Sequence, residues 1–322
     1  MQRRKFFGLL LASLFSRGVK AQGKYPDRPV RLVVPFAPGG ETDLMGRMWA
    51  RYAGAHLGGN VVVENKAGAG GSIGATEVAR SRPDGYTLLA GTTTTQIINP
   101  AAMPNPPYDP VKDFALVGVM SLTPTCVVVH PDVDARSLRE LAALAKANPG
   151  KYAYGSAGPG TITNLTGELF KLQGGGLDLQ HIPYKGAGPG IQDVIAGHLP
   201  IFTPILSSSV LAQHRAGRLR ILAVNSDARL RAAPEIPTAA ESGMPGMRVQ
   251  VFNAIFAPAG TPQAVIETLR QATAKARGEE GLRKDLESAG AEPFTLADPD
   301  RFLRDEVERW TPIIRSTGFK VQ

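Results

Sequence analysis

Residues 31–43 of the chain read Arg-Leu-Val-Val-Pro-Phe-Ala-Pro-Gly-Gly-Glu-Thr-Asp. Residues 30–34, apolar except for Arg31, predict a short buried strand. The Pro-Gly-Gly sequence predicts a tight turn, and a helix is expected to begin at Thr42 or Asp43. A glycine-rich turn between a strand and a helix gathers backbone N–H groups without intrahelical partners, and the helix dipole adds positive potential. The stretch therefore indicates an α/β fold with a candidate anion site, although proline and glycine that merely turn the chain give the same pattern.

Short apolar segments alternate with helical segments along the rest of the chain, which is the pattern of an α/β fold. The connecting loops are rich in Gly, Pro, Ser and Thr and carry few charges, as residues 156–161 and 183–190 illustrate. Loops at the carboxyl ends of strands are where open α/β sheets bind ligands. Because these loops offer backbone N–H groups and hydroxyls, they favour a binding site for a small anion over a site that makes or breaks bonds.

The composition is that of a globular protein with room for two domains. The chain has 322 residues, enough for two domains of about 150 residues each, and is 43% hydrophobic and 20% charged. Cys126 is the only cysteine, so a disulfide framework and a multi-cysteine metal site are excluded, and its apolar neighbours predict a buried side chain. The five histidines lack the spacing of metal ligands, and the sequence indicates no metal or cofactor.

The N-terminus has the features of an export signal. Arg3 and Arg4 precede an apolar run over residues 6–15, and small residues lie before Gln22, so residues 1–21 are predicted to be a cleaved signal peptide. The arginine pair also fits twin-arginine export, and the general secretory and twin-arginine routes both stay open. Without the five basic residues of this segment the formal net charge falls from +8 to about +3. There is no basic stripe with interleaved aromatics, so nucleic-acid binding is not indicated.

Eight segments carry a more specific pattern. They are residues 35–43, 64–74, 83–89, 107–114, 154–158, 183–189, 236–238 and 256–262. Together and in this order, they resemble the solute-binding receptors of tripartite tricarboxylate transporters, also called Bug receptors. The resemblance spans essentially the whole chain after the signal.

This resemblance implies a type II periplasmic-binding-protein fold, in which two α/β domains joined by a hinge close on a ligand in the cleft between them. Domain one would comprise residues 22–124 and 247–322, and domain two residues 125–246. The implied function is capture of a small organic carboxylate in the periplasm, of the dicarboxylate, amino acid or pyridine-carboxylate type, for uptake or sensing. The receptor would be a monomer without catalytic activity or cofactor, and would pass its ligand to a membrane permease or a sensor.

The resemblance also implies which residues bind the ligand. On the first side of the cleft these are Ala37, Gly39, Gly40, Thr42, Asp43 and Thr92. On the second side they are Ser156, Thr161, Tyr184, Gly186, Gly188 and Asp193.

Two of these residues carry charge. Asp43 and Asp193 either face the cleft, where they would bind an ammonium, an amide or a bridging water, or serve the fold, with Asp43 at its helix N-terminus. Two carboxylates at the ligand would disfavour a polyanion and favour amino acids or pyridine-type acids. Lys185 either neutralises a ligand carboxylate or is a solvated loop residue.

The sequence departs from the family's pattern in three places. Glu41 stands where a small residue is more common, Thr163-Asn164 stands where Ser or Pro followed by His is expected, and Leu199-Pro200 replaces an apolar–Asp pair. These departures concern the identity of the ligand more than its class. Glu41 and Asp43, beside the Gly-Gly backbone, are where we expect the choice among acids to be made.

The sequence leaves two further hypotheses about the function open. Residues 70–74, Gly-Gly-Ser-Ile-Gly, match the nucleophile pattern of α/β hydrolases, with Ser72 as the nucleophile. However, about six residues separate Ser72 from the preceding strand, and no second motif supplies a histidine and an acid, so a serine at a helix start is the favoured interpretation. A receptor-derived adaptor that no longer transports is the third hypothesis.

Overall fold

The computed structural model describes residues 25–184, 186–294 and 298–316. The predicted signal peptide and Lys185 lie outside these residues. None of the helices in the described part is long and apolar enough to cross a membrane.

Eleven strands form two separate sheets within the described part. The first sheet contains β1 Val30–Val34, β2 Val61–Asn65, β3 Thr87–Thr92, β4 Phe114–Pro124, β10 Gln250–Pro258 and β11 Glu292–Pro293, and the second contains β5 Cys126–Val129, β6 Ala153–Ser156, β7 Gln180–Pro183, β8 Ile201–Phe202 and β9 Arg220–Val224. Their orders are β11-β4-β10-β3-β1-β2 and β7-β6-β8-β5-β9. Each sheet has a parallel part, β2-β1-β3 or β7-β6-β8, next to antiparallel strands.

Helices connect and cover the strands. They are α1 Glu41–Leu57, α2 Ser72–Ala79, α3 Asn99–Ala102, α4 Leu138–Ala147, α5 Ile162–Gln173, α6 Ala187–Ile195, α7 Ser208–Arg215, α8 Gln263–Arg277, α9 Glu280–Ser288 and α10 Pro299–Ser316. The prediction for α1 was one residue late, because Gly39 takes a positive φ of 82° and lets the helix begin directly after Gly40. Ser72 is the first residue of α2 and Gly71 is its N-cap, so the serine does not cap that helix.

The opening strand is apolar apart from Arg31 because helices cover both faces of its sheet. Leu32 packs in a cluster with Trp49 of α1 and Leu269 of α8. Val33, its neighbour, packs on the opposite face in a cluster with Val78 of α2. All the residues of this strand except Arg31 are buried, as expected for a parallel strand with two covered faces.

The two sheets are connected where β4 runs into β5 and where the chain returns to β10. Thr125, between β4 and β5, donates its backbone N–H to Val249 O (3.0 Å) and accepts from Asn225 N (2.9 Å). Its hydroxyl donates to Val249 O (3.1 Å) and accepts from the Asn225 Nδ2 amide (2.9 Å). These hydrogen bonds tie the crossing segments together at a narrow connection between the sheets.

Candidate functional site

The first predicted loop, residues 35–40, joins the carboxyl end of β1 to α1 and is held by Asp43. This carboxylate accepts hydrogen bonds from Gly39 N (2.9 Å) and Arg47 Nε (3.0 Å) on Oδ2, and from Asn65 Nδ2 (2.9 Å) on Oδ1. Asn65 also donates to Phe36 O (3.0 Å). Asp43 is only 4% exposed, and its carboxylate fixes the loop from inside.

The charge of Asp43 is maintained by these contacts. Burial by itself would raise the pKa of this carboxyl, but the hydrogen bonds from Arg47, Gly39 and Asn65 outweigh it and lower the pKa below its ordinary value. A carboxylate that accepts three hydrogen bonds from the protein itself is well suited to hold the loop in one conformation.

The remaining residues of the first side lie around this loop. Ala37, Gly39 and Gly40 are exposed, whereas Thr42 is buried. No side chain caps α1 at Gly40, and the amide of Gly39 is already bonded to Asp43. Thr92 ends β3 and is 2% exposed, with its amide donating to Thr95 Oγ1 (3.0 Å). The exposed part of this side is therefore mainly backbone.

The second predicted loop follows β6 and leads into α5. Thr161 is the N-cap of α5: its hydroxyl donates to Gly158 O (2.7 Å) and accepts from Asn164 N (3.3 Å). Ser156 is fully buried, and its Oγ lies 2.8 Å from His181 Nε2. Both hydroxyls therefore hold the loop, and the buried Ser156 hydroxyl, paired with the half-buried His181, is not presented to the solvent.

The third predicted loop follows β7 and leads into α6. The Tyr184 hydroxyl donates to Asp193 Oδ2 (2.6 Å), and burial together with this bond raises the pKa of Tyr184 to about 12. Gly186 has a positive φ of 106° and donates its N–H to Ala157 O (3.1 Å), which links this loop to the one after β6. Gly188 is exposed, and a side chain there would meet no atom within 4 Å.

Sequence reasoning missed the partners of Glu41. Its Oε1 accepts from Asn253 Nδ2 (2.6 Å) on β10 and from Thr123 Oγ1 (3.0 Å) on β4, and Ser121 lies beside Asn253 (3.4 Å). Burial raises the pKa of Glu41, and the hydrogen bonds from Asn253, Thr123 and Thr42 only partly oppose this effect. The available signal was a single amide, Asn253, inside the apolar run over residues 251–257.

Ser72, the residue on which the hydrolase hypothesis depends, is 5% exposed, and its hydroxyl donates to Ala69 O (2.8 Å). The contacts of Ser72 therefore resemble those of a serine that stabilises a helix start. In the part of the chain that the structure describes, no group of three or more His, Cys, Asp or Glu side chains forms a metal site.

A Ser72→Ala variant tests this interpretation. We expect ligand binding to change by less than about 2-fold, with a loss of roughly 0.5–1.5 kcal/mol of stability from the missing hydrogen bond. Thermal-shift titration with the ligand and an assay with activated esters measure the two effects. Esterase turnover in the wild type that disappears in the variant would support the hydrolase instead.

Comparison with known proteins extends over nearly the whole chain. Residues 45–319 match the tripartite tricarboxylate transporter family receptor. Protein BugT of Bordetella pertussis is 35% identical over 320 residues, which cover 98% of this chain and 97% of BugT.

Two solved structures are similar in both sequence and fold. The structure of Rpa4515 from R. palustris with adipate has 32% identity and a TM-score of 0.82, covering 92% of this chain and 99% of that one. MatC from Rhodopseudomonas palustris with bound malate has 28% identity and a TM-score of 0.79, covering 90% and 100%. These likenesses and the two α/β sheets confirm the predicted fold class, the two-domain architecture of periplasmic solute-binding proteins.

Proposed function

Because the chain belongs to the tripartite tricarboxylate transporter receptor family, the Bug receptors, we propose that it captures a small organic carboxylate and encloses it by domain closure. The observation that carries the proposal is the match to a receptor family over residues 45–319, which include parts of both sheets. The family consists of binding receptors, so capture without chemical conversion is the activity proposed. Relatives with adipate and with malate support a carboxylate as the ligand class.

The proposed closure takes place between residues 22–124 with 247–322, as domain one, and residues 125–246, as domain two. Sheet membership supports this division, since β5 to β9 form the second sheet and the other six strands form the first. The proposed hinge is the hydrogen-bonded connection of Thr125 with Asn225 and Val249. Rotation there would bring together the loops that end β1, β3, β6 and β7.

The proposed site combines backbone groups for contact with side chains for positioning. We assign its ligand-facing part to exposed or half-buried residues with no side chain beyond Cβ: Ala37, Gly39, Gly40, Gly186 and Gly188. The buried or hydrogen-bonded residues keep these loops in place: Thr42, Asp43, Thr92, Ser156, Thr161, Tyr184 and Asp193. Because the carboxylates of Asp43 and Asp193 already have internal partners, the repulsion of a dicarboxylate that they would otherwise cause is reduced.

The proposed location is the periplasm, after export and removal of residues 1–21. There a monomeric receptor would deliver its ligand to a membrane permease or to a sensor. Family membership supports both proposals.

A thermal-shift screen of the mature, ligand-free protein tests the proposed function. Because a ligand that binds only the folded state stabilises by RT ln(1 + [L]/Kd), a carboxylate at 100 times its Kd should add about 2.7 kcal/mol. The screen should include mono-, di- and tricarboxylates, amino acids and pyridine carboxylates, with the corresponding amides as uncharged controls. If no carboxylate raises the melting temperature of protein verified to be ligand-free, the proposed function is wrong.

A further inference from the structure

A carboxyl group next to the first predicted loop has no charged partner among the residues that the structure describes. Glu41 follows Gly40 directly and is the first residue of α1. Its Oε1 is bonded to Asn253 and Thr123, which belong to the two strands that continue toward the crossing segments at Thr125 and Val249. Asn253 is also directly opposite Thr92 in the sheet, so the carboxyl group lies beside the strand end that delivers a predicted ligand residue.

The groups that face Glu41 are neutral. They are the hydroxyl of Thr123 on β4, the amide of Asn253 on β10 and the hydroxyl of Thr42 on α1. The charged neighbours on α1, Asp43 and Arg47, are paired with each other. Within residues 25–184, 186–294 and 298–316, the pKa of Glu41 is governed by burial and by neutral hydrogen bonds, without a charged group. Among the described residues a carboxylate at this half-buried position has no counter-ion, and burying part of a charge without one is destabilising.

In the described part of the chain, one acceptor of the same cluster has no donor. Asn253 is 3% exposed, and its Oδ1 has no hydrogen-bond partner, while its Nδ2 is turned to Glu41. Buried acceptors without partners are uncommon in folded proteins. The cluster therefore has acceptor capacity on both side chains and lacks a cationic donor.

Resting on the proposed function, we propose that Glu41 selects the ligand by pairing with an ammonium group, so that the preferred ligand is a small amino acid. The ligand's carboxylate would lie at the exposed loop backbone, and its ammonium would supply the missing counter-ion. An ammonium carries three N–H donors, which matches a carboxyl group beside an unpaired amide oxygen. Asp43 already accepts three hydrogen bonds from the protein, so its role in this proposal is to hold the loop.

This pairing has a defined proton balance. Since burial raises the pKa of Glu41, this carboxyl takes up its proton at a higher pH in the unliganded protein than an ordinary glutamate does. The ammonium favours the ionised form, so its binding releases that proton to solvent and affinity rises with pH until the ligand's amine begins to lose its own proton. A ligand with a second carboxylate at this position would do the opposite and take up a proton.

Calorimetric titration with pairs of acids that differ only in an amino group tests the proposal. Suitable pairs are succinate with aspartate, glutarate with glutamate, and propionate with alanine. In the wild type we expect the amino acid of the best-bound pair to bind more tightly than its parent acid. The Glu41→Gln variant should bind that amino acid about 10- to 100-fold more weakly than the wild type does. Its affinity for the parent acid should change by less than about 3-fold. Glu267→Gln, on the exposed side of α8, is the matched control and should change neither.

A second measurement does not depend on the variant. Titrating the wild type in buffers of different ionisation enthalpy gives the number of protons exchanged, and release with the amino acid supports the proposal. The proposal is overturned if a parent diacid binds more tightly than its amino acid, takes up a proton on binding and binds Glu41→Gln more weakly. That result would leave the receptor function intact. Equal losses for both members of a pair also overturn the proposal. Absence of binding by every acid would instead contradict the proposed function and with it this inference.

Discussion

Replacement of Trp49 by alanine is expected to lower the free energy of unfolding by about 3–5 kcal/mol, the usual cost of truncating a large buried aromatic residue. Trp49 lies on α1, is 1% exposed and packs against Leu32 and Leu269. Its indole Nε1 donates to Thr273 Oγ1 of α8 (3.0 Å), so the side chain also joins two helices that are distant in sequence. The substitution removes both the packing and the link, and it leaves a cavity beneath the helix that follows the first ligand loop.

Urea unfolding measures this loss. Trp310, the second of the chain's two tryptophans, remains as the fluorescent reporter. Trp49→Phe is the matched control: it keeps an aromatic ring and loses the hydrogen bond, while the Thr273 hydroxyl retains its bond to Leu269 O (2.8 Å), so a smaller loss is expected. A cost below about 1 kcal/mol for the alanine variant would contradict the buried packing described for Trp49.

Asp43→Ala is expected to weaken the binding of every carboxylate by about 10- to 100-fold, because hydrogen bonds to a charged group contribute ~1.5–3 kcal/mol. The carboxylate joins Gly39, in the loop proposed to contact the ligand, to Asn65 at the end of β2. Without it the loop loses its internal anchor, whichever acid is bound. Ligands with and without an N–H donor should therefore lose affinity equally, in contrast to the selective loss expected for Glu41→Gln.

Arg47→Ala is the matched control for this prediction. The variant removes one partner of Asp43. The Arg47 side chain is 52% exposed, and exposed ion pairs contribute ~0–1 kcal/mol. The loop anchor at Gly39 remains, so binding should change little. A larger loss in Arg47→Ala than in Asp43→Ala, or a loss in Asp43→Ala confined to amino acids, would show that Asp43 acts on the ligand rather than on the loop.

The pH dependence of Asp43→Asn gives a further check on the same prediction. Since the pKa of Asp43 is lower in the folded protein than its ordinary value of 3.8, its contribution to stability is present above that value. It is lost as the pH falls through the folded pKa. The stability difference between wild type and Asp43→Asn should accordingly be full near neutral pH and shrink in acid.

The sequence by itself determined the order of strands, loops and helices and the family. Residues 30 and 32–34 are apolar because the strand is covered on both faces, and the Pro-Gly-Gly turn places a helix start directly after it. These features depend on residues that are close in sequence, because they follow from hydrophobic periodicity, glycine conformation and proline geometry. Such local rules can be applied to a sequence alone.

The tertiary structure decided what each polar side chain of the candidate site contacts. Asp43 lies where the sequence placed it, but its partner Asn65 comes from the next strand. Asp193 faces Tyr184 within its own loop and helix, a pairing for which the sequence had left a ligand contact open. Glu41 contacts Thr123 and Asn253, which are 82 and 212 residues further along the chain. Partners at such separations are brought together only when the strands assemble into a sheet. Local sequence rules do not contain that register, so the sequence identified the loop and the fold identified the carboxyl group beside it, whose partners in the described residues are neutral.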